Sequence, residues 1–298
     1  MTHIGGFVRP TTKTVVANDE NAIVQDLKLL TGTDCYAGRL VGRGTGDQDA
    51  VVCTGVLAPI GFISYEHTPD VYQPATPATA FAANDIAGIV AGPIVVNGKL
   101  AAGFYATKGD LLCNWEAGYV AACAIIDGRI ALKIPYTKKT SEFDTGVDLP
   151  LGAVVHDVRC YSVVADASGT IEIGTAEAVA ETGGDADGFL DVEALAATGW
   201  VAHNTVDATA SNNTLGVLLV EADIKTADST ALYYSAPVVG GYKCGGTQKS
   251  ITYTTSNHTQ SGYFYVLVST PGLQIVGKAY ETVDATAAAA ALMLRCLI

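Results

Sequence analysis

The chain has 298 residues, with 17 Lys and Arg against 30 Asp and Glu, a formal charge of −13, and 49% hydrophobic but only 16% charged residues. That balance excludes a nucleic-acid partner, which needs Lys and Arg clustered along a phosphate track. No run approaches the roughly 20 consecutive apolar residues of a spanning helix, so no membrane partner is expected.

The length suits two cores of about 100–200 residues each. The start, Met1-Thr2-His3-Ile4-Gly5, lacks a charged segment followed by an apolar one, and this predicts synthesis in a cytoplasm. Residues 1–33 read as an extended N-terminal arm with a short helix. Gly5-Gly6 and Pro10 keep Ile4 to Val16 extended, and Ile23, Leu27 and Leu30 are spaced for one helical face within Asn18 to Leu30.

Residues 34–138 change to short strand-like runs separated by turn residues. Strands are expected at Arg39-Leu40-Val41, Ala50 to Cys53, Gly61 to Tyr65 and Ala87 to Val90, with an exposed loop where Pro69, Pro74 and Pro77 interrupt. Three hairpins follow: one turning at Asn97-Gly98, one at Glu116-Ala117-Gly118 and one at Asp127-Gly128. This regular spacing predicts a small β-barrel or sandwich. There is also a short internal likeness, Ala37 to Val41 with Asp49 to Val52 against Ala102 to Ala106 with Ala117 to Val120.

A polar stretch from Tyr136 to Glu142 marks the expected boundary, and residues 139–298 read as an antiparallel β-sandwich. Its strands are expected at Val154 to Val164, Thr170 to Gly174, Thr214 to Val220, Lys249 to Thr255 and Tyr263 to Val268, while Asp191 to Ala197 suits a helical turn or a strand. The fold class is all-β throughout.

Reactive motifs are missing from the sequence. There is no Gly-x-Ser-x-Gly elbow, no Cys-x-x-Cys pair, and His3, His67, His156, His203 and His258 lie far apart, so neither nucleophilic catalysis nor zinc is indicated. Gly103 to Asp110 lacks the Gly-Lys-Ser/Thr of a phosphate loop. The seven cysteines, mostly in apolar surroundings, read as buried thiols, with Cys113 and Cys123 able to bridge across a hairpin.

One acidic loop, Gly183 to Asp191, places Asp185, Asp187 and Asp191 where side-chain oxygens can converge on calcium. Position twelve counted from Asp185 is Ala196, not the Glu that closes an EF-hand, so the competing reading is an Asp-Gly turn whose carboxylates cap backbone N–H groups. No other cofactor is indicated. Tyr233-Tyr234 and Tyr263-Phe264-Tyr265 put aromatics on sheet faces, where they suit a core, a neighbouring subunit or a sugar.

The run Asp85 to Val90, Leu100 to Gly103, Lys108-Gly109-Asp110-Leu111-Leu112 and Glu116 to Val120 resembles the β-rich decoration proteins of tailed-phage heads. Ile171 to Gly174 and Gly183 to Phe189 are similar to β-sandwich regions of phage and archaeal-virus virion proteins. The resemblance implies a non-enzymatic, head-stabilising protein on the outer capsid surface of a virion. Its partners would be the major capsid protein and its own copies, with a homotrimer favoured. A carbohydrate-binding or adhesive β-sandwich is the alternative.

Overall fold

A computed structural model describes residues 3–4, 7–8, 15–18, 22–176, 189–201, 242–244, 248–256 and 258–298. They are all-β, with two short 3-10 turns at Asp70–Tyr72 and Glu116–Gly118. Two compact units divide the chain, Met1–Ala124 with Pro271–Ile298, and Ile125–Thr270. The last strands therefore belong with the first unit, whereas the sequence assigns them to residues 139–298.

The first unit opens with a two-stranded ribbon, β1 (His3–Ile4) and β2 (Phe7–Val8), and with β3 (Val16–Asn18). Five strands then close a barrel: β4 (Ile23–Leu29), β5 (Leu40–Arg43), β6 (Asp49–Val52), β7 (Pro59–Ser64) and β8 (Ile86–Ala91), in the order β4-β6-β5-β7-β8. Closure gives each of the five strands a partner on both sides, β4 meeting β6 through Lys28 and Leu29. The barrel is held by a core that includes Leu27, Leu29, Val41, Ile63, Phe81 and Ile89, and each such side chain contributes about 1.5–3 kcal/mol on burial.

The helix expected near Asn18 to Leu30 is instead strand β4. Leu27 and Leu29, two apart, are the residues that bury, and six consecutive residues of β4 pair with β8. Period two wins because backbone pairing with β8 and β6 is available on both sides. The Ile23/Leu27/Leu30 spacing is incidental, and Ile23 is 59% exposed.

Beyond the barrel run β9 (Val95–Leu100), β10 (Tyr105–Ala106), β11 (Leu111–Asn114) and β12 (Val120–Ile126). The Asn97-Gly98 turn does not form. Asn97 pairs with Met293 and Gly98 with Leu292 in the middle of β9, because a long-range partner strand outweighs a local turn preference. The Glu116 to Gly118 turn does form, joining β11 to β12 with Cys113 opposite Ala121 and Leu111 opposite Cys123. Cys113 and Cys123 are thus diagonal, not directly opposed, and both are free thiols.

The second unit contains β13 (Arg129–Tyr136), β14 (Phe143–Leu149), β15 (Val154–Val164), β16 (Thr170–Thr175), β17 (Leu190–Ala194), β18 (Gly199–Trp200), β19 (Tyr242–Lys243), β20 (Lys249–Thr255) and β21 (Ser261–Ser269). Asp127 and Gly128, both at positive φ, make the expected tight turn into β13. One sheet has β21 between β13 and β15, with β18 and β19 added to β15. The other has the order β14-β20-β16-β17. They pack as a sandwich around Tyr253 of β20, whose ring lies 6.0 Å from Phe264 and 6.3 Å from Tyr136. Burial pushes the Tyr253 phenol pKa up, so it stays protonated between the sheets. Residues 214–220 lie outside the described residues.

The chain then returns to the first unit with β22 (Ile275–Ala279), β23 (Val283–Asp284) and β24 (Ala290–Cys296). Strand β22 pairs with β11, β24 with β22, and β9 with β24; a parallel bridge between Leu100 and Val120 joins β9 to β12. These five strands close a second ring, β9-β12-β11-β22-β24. Its order and every strand direction repeat those of the first barrel, including the single parallel pair, β4–β6 in one and β9–β12 in the other.

The sequence carries the same repeat without a gap. Ile23, Val24, Lys28, Leu29, Gly32, Gly38 and Leu40 recur as Ile94, Val95, Lys99, Leu100, Gly103, Gly109 and Leu111, each 71 positions later. This corrects the register of the likeness seen in the sequence, which set Gly38 against Gly103. The first unit is therefore a tandem duplication, and Ile125–Thr270 is inserted between the third and fourth strands of its second copy. In the first copy those strands are joined by the six residues Cys53 to Ala58. Replacing Ile125–Thr270 by a flexible linker of similar length is expected to leave a folded first unit, seen as dispersed amide resonances and a cooperative melt.

Candidate functional site

The outer face of the β13-β21-β15 sheet carries the most distinctive surface chemistry described. Strand alternation sends Cys160, Phe264 and Ile134 inward and places Tyr161, Tyr263, Tyr265, Arg159 and Lys133 on the opposite face, where Lys133 itself is only 8% exposed. Trp200 of β18 pairs with Tyr161 at the end of this face. Its ring lies 5.3 Å from that of Tyr161, edge-on, and 5.1 Å from that of Tyr265, yet it remains 56% exposed. Val163 and Val164 follow at an irregularity in β15 and are 50% and 44% exposed. Together they form an apolar edge beside an aromatic surface, the kind of patch that marks interaction sites.

Charged groups frame the aromatics. The Lys133 ammonium stands 4.4 Å from the centre of the Tyr263 ring, a cation–π contact. Arg159 pairs through Nε with Asp157 at 2.7 Å and through Nη2 with Asp127. The Asp157 carboxylate first, with Asp127, raises the guanidinium pKa above its ordinary value. This surface can stack on a flat apolar or sugar face and align it by charge.

One serine, glutamate and histidine do meet, at the end of β7. The Ser64 hydroxyl donates to Glu66 Oε2 at 2.9 Å and lies 2.8 Å from His67 Nδ1, while Glu66 Oε1 accepts the Val15 N–H. Ser64 is fully buried and Thr68 Oγ1 donates to its carbonyl at 2.6 Å. The carboxylate binds the hydroxyl directly instead of orienting the imidazole, so the trio locks a turn and the arm rather than priming a nucleophile.

Two other histidines also have structural partners. His156 Nε2 lies 2.7 Å from Ser269 Oγ, and burial, then Arg129, lowers its pKa. His258 stands 3.3 Å from Asp166. His203 lies outside the described residues, as do Asp185, Asp187 and Tyr233-Tyr234; only the backbone of Asp191 is described, at the second position of β17. Among the described residues, no group of three or more His, Cys, Asp or Glu is placed to hold a metal ion. Among them, too, no helix is long and apolar enough to cross a membrane.

All seven cysteines are buried free thiols. Burial pushes Cys35 up to about 11 and Cys53 up to about 12. Unfolded thiols ionise near 9, so above that pH the unfolded chain releases protons that the folded chain retains. Stability is therefore expected to fall as pH rises from about 9 to 12, read as a dropping urea midpoint. At pH 8 a thiol reagent should label all seven only after unfolding.

Trp200 escapes sequence reasoning because a lone Gly199-Trp200 pair has no periodicity. A Trp directly after a glycine, just beyond Ala197-Thr198, is the signal that could have marked it. No protein-family model matches the chain, and no curated protein matches it.

Proposed function

We propose that this chain is a non-enzymatic virion structural protein that decorates a capsid and stabilises it by binding the outer surface of the major-capsid-protein shell. The observation that supports this reading is the exposed apolar edge formed by Val163, Val164 and Trp200 on the second unit. An acidic, weakly charged chain gains little from leaving such groups in water, and burying them against protein offsets the cost of ordering an interface. Closed barrels in the first unit suit a rigid mount.

Purified protein mixed with emptied shells of its virus should co-sediment at saturable stoichiometry, and light scattering should give a trimer. Trp200→Ala and Val163→Asp are each expected to weaken shell binding by about tenfold or more, the scale of a central interface residue. Undiminished co-sedimentation of both variants would sink the reading.

A second reading, glycan binding, is favoured by the exposed Trp200 ring flanked by Tyr161 and Tyr265. It predicts retention on a glycan array that Trp200→Ala abolishes and Val163→Asp spares.

A further inference from the structure

We propose that the cavity between the two barrels of the first unit binds a small molecule through an oxyanion, either a phosphate or a carboxylate. The cavity measures about 550 Å³, and its lining includes Asp34, Tyr36, Arg39, Asn97, Lys99 and Tyr119. That size lies within the roughly 300–1,000 Å³ of small-molecule sites.

Arg39 is the centre of the site. It is only 4% exposed, yet it makes no ion pair among the described residues. Its Nη1 donates to the Ala117 carbonyl at 2.5 Å and its Nη2 to Tyr119 Oη at 2.7 Å, and the guanidinium lies 3.5 Å from the Tyr119 ring centre. Its buried Nε–H has no acceptor, and buried Asn97 Oδ1, also of the cavity lining, has no donor. A buried charge without a counter-charge is costly, and an anion supplies the missing one. Ala117, whose carbonyl Arg39 holds, is a non-glycine residue at φ 50°, an unfavoured conformation of the kind that collects at binding sites.

The duplication provides an internal control. In the first barrel Lys28 is neutralised by Asp49 at 3.3 Å. Its counterpart Lys99 has lost that partner, because Val120 stands at the place matching Asp49. Lys99 is exposed and makes no ion pair among the described residues. Likewise the counterpart of Arg39 is Asp110, which accepts the Thr107 N–H at 2.8 Å and closes its own turn. Lys99, stripped of the partner its counterpart has, and Arg39, a cation with no equivalent in the second copy, both line this one cavity. Among the described lining residues Asp34 is the only carboxylate, against the two cations Arg39 and Lys99, in a chain of charge −13.

Engaging Arg39 Nε and Asn97 Oδ1 requires those side chains to turn toward the ligand, which an NMR titration detects. The full chain would be titrated with inorganic phosphate and, separately, with benzoate, at constant ionic strength with chloride as reference. A saturable shift of the Arg39 Nε–H and Asn97 amide signals is expected with at least one anion, and the preferred anion identifies the source. Lys99→Met, at an exposed position, should keep the fold and bind about tenfold more weakly, as loss of one charge-assisted contact implies. No saturable shift with either anion, or equal affinity in Lys99→Met, overturns the proposal.

Discussion

Asn114→Ala is expected to destabilise the first unit by about 3–5 kcal/mol, the sum of leaving two or three buried backbone groups without partners. Asn114 is fully buried on β11. Its Nδ2 donates to the Leu57 and Gly272 carbonyls, both at 3.1 Å, and also approaches Thr54 O and Cys53 Sγ, while its Oδ1 accepts the Gln274 N–H at 2.7 Å. One amide thus ties the Cys53 to Ala58 link of the first barrel to the segment where the chain re-enters the second. Asn114→Leu keeps the volume but not the hydrogen bonds, so it separates the two causes. Its urea midpoint should fall nearly as far as that of Asn114→Ala; a small loss in Asn114→Leu would mean that packing, not hydrogen bonding, sets the effect.

Gly262→Ala should cost about 3 kcal/mol or more, at or above the upper end for overpacking. A Cβ built at Gly262 would lie 2.1 Å from the Tyr161 carbonyl oxygen and 2.9 Å from Tyr136 Oη. The nearest atom belongs to the backbone of β15, so it cannot swing aside. Gly262 pairs with Ser162 of β15 on one side and Tyr136 of β13 on the other, at the middle of its sheet. Alanine would ordinarily gain about 0.5–1 kcal/mol over glycine inside a strand, and the clash outweighs that. Ser261→Ala, one residue away, serves as control and should stay within about 0.5 kcal/mol. Because Gly262 and Asn114 lie in different units, their losses should appear in separate transitions if the units unfold independently.

The proposed surfaces differ in how visible they are before folding. Tyr263 and Tyr265 could be read as facing one side of a strand because alternation is local. Trp200 could not be joined to them, since β18 meets β15 across a gap of nearly forty residues. Arg39 is plainer still. In sequence it is a lone cation before Leu40, and only folding sets it against Tyr119, with no ion pair among the described residues.

By itself the sequence determined the all-β class, the limits of β15 and β20, and the turns at Asp127-Gly128 and Glu116 to Gly118. Those features depend on neighbours within a few residues, where β-branched alternation and left-handed turn positions act directly. Tertiary structure decided that Ile23–Leu29 is a strand, that Asn97-Gly98 runs straight through β9, and that Pro271–Ile298 completes a barrel begun at Val95. Each depends on which distant strand supplies the hydrogen bonds, and period-two patterning is the same for every candidate partner. The repeat spaced by 71 residues lay in the sequence throughout; the matching strand order and the one parallel pair in each barrel fixed its register.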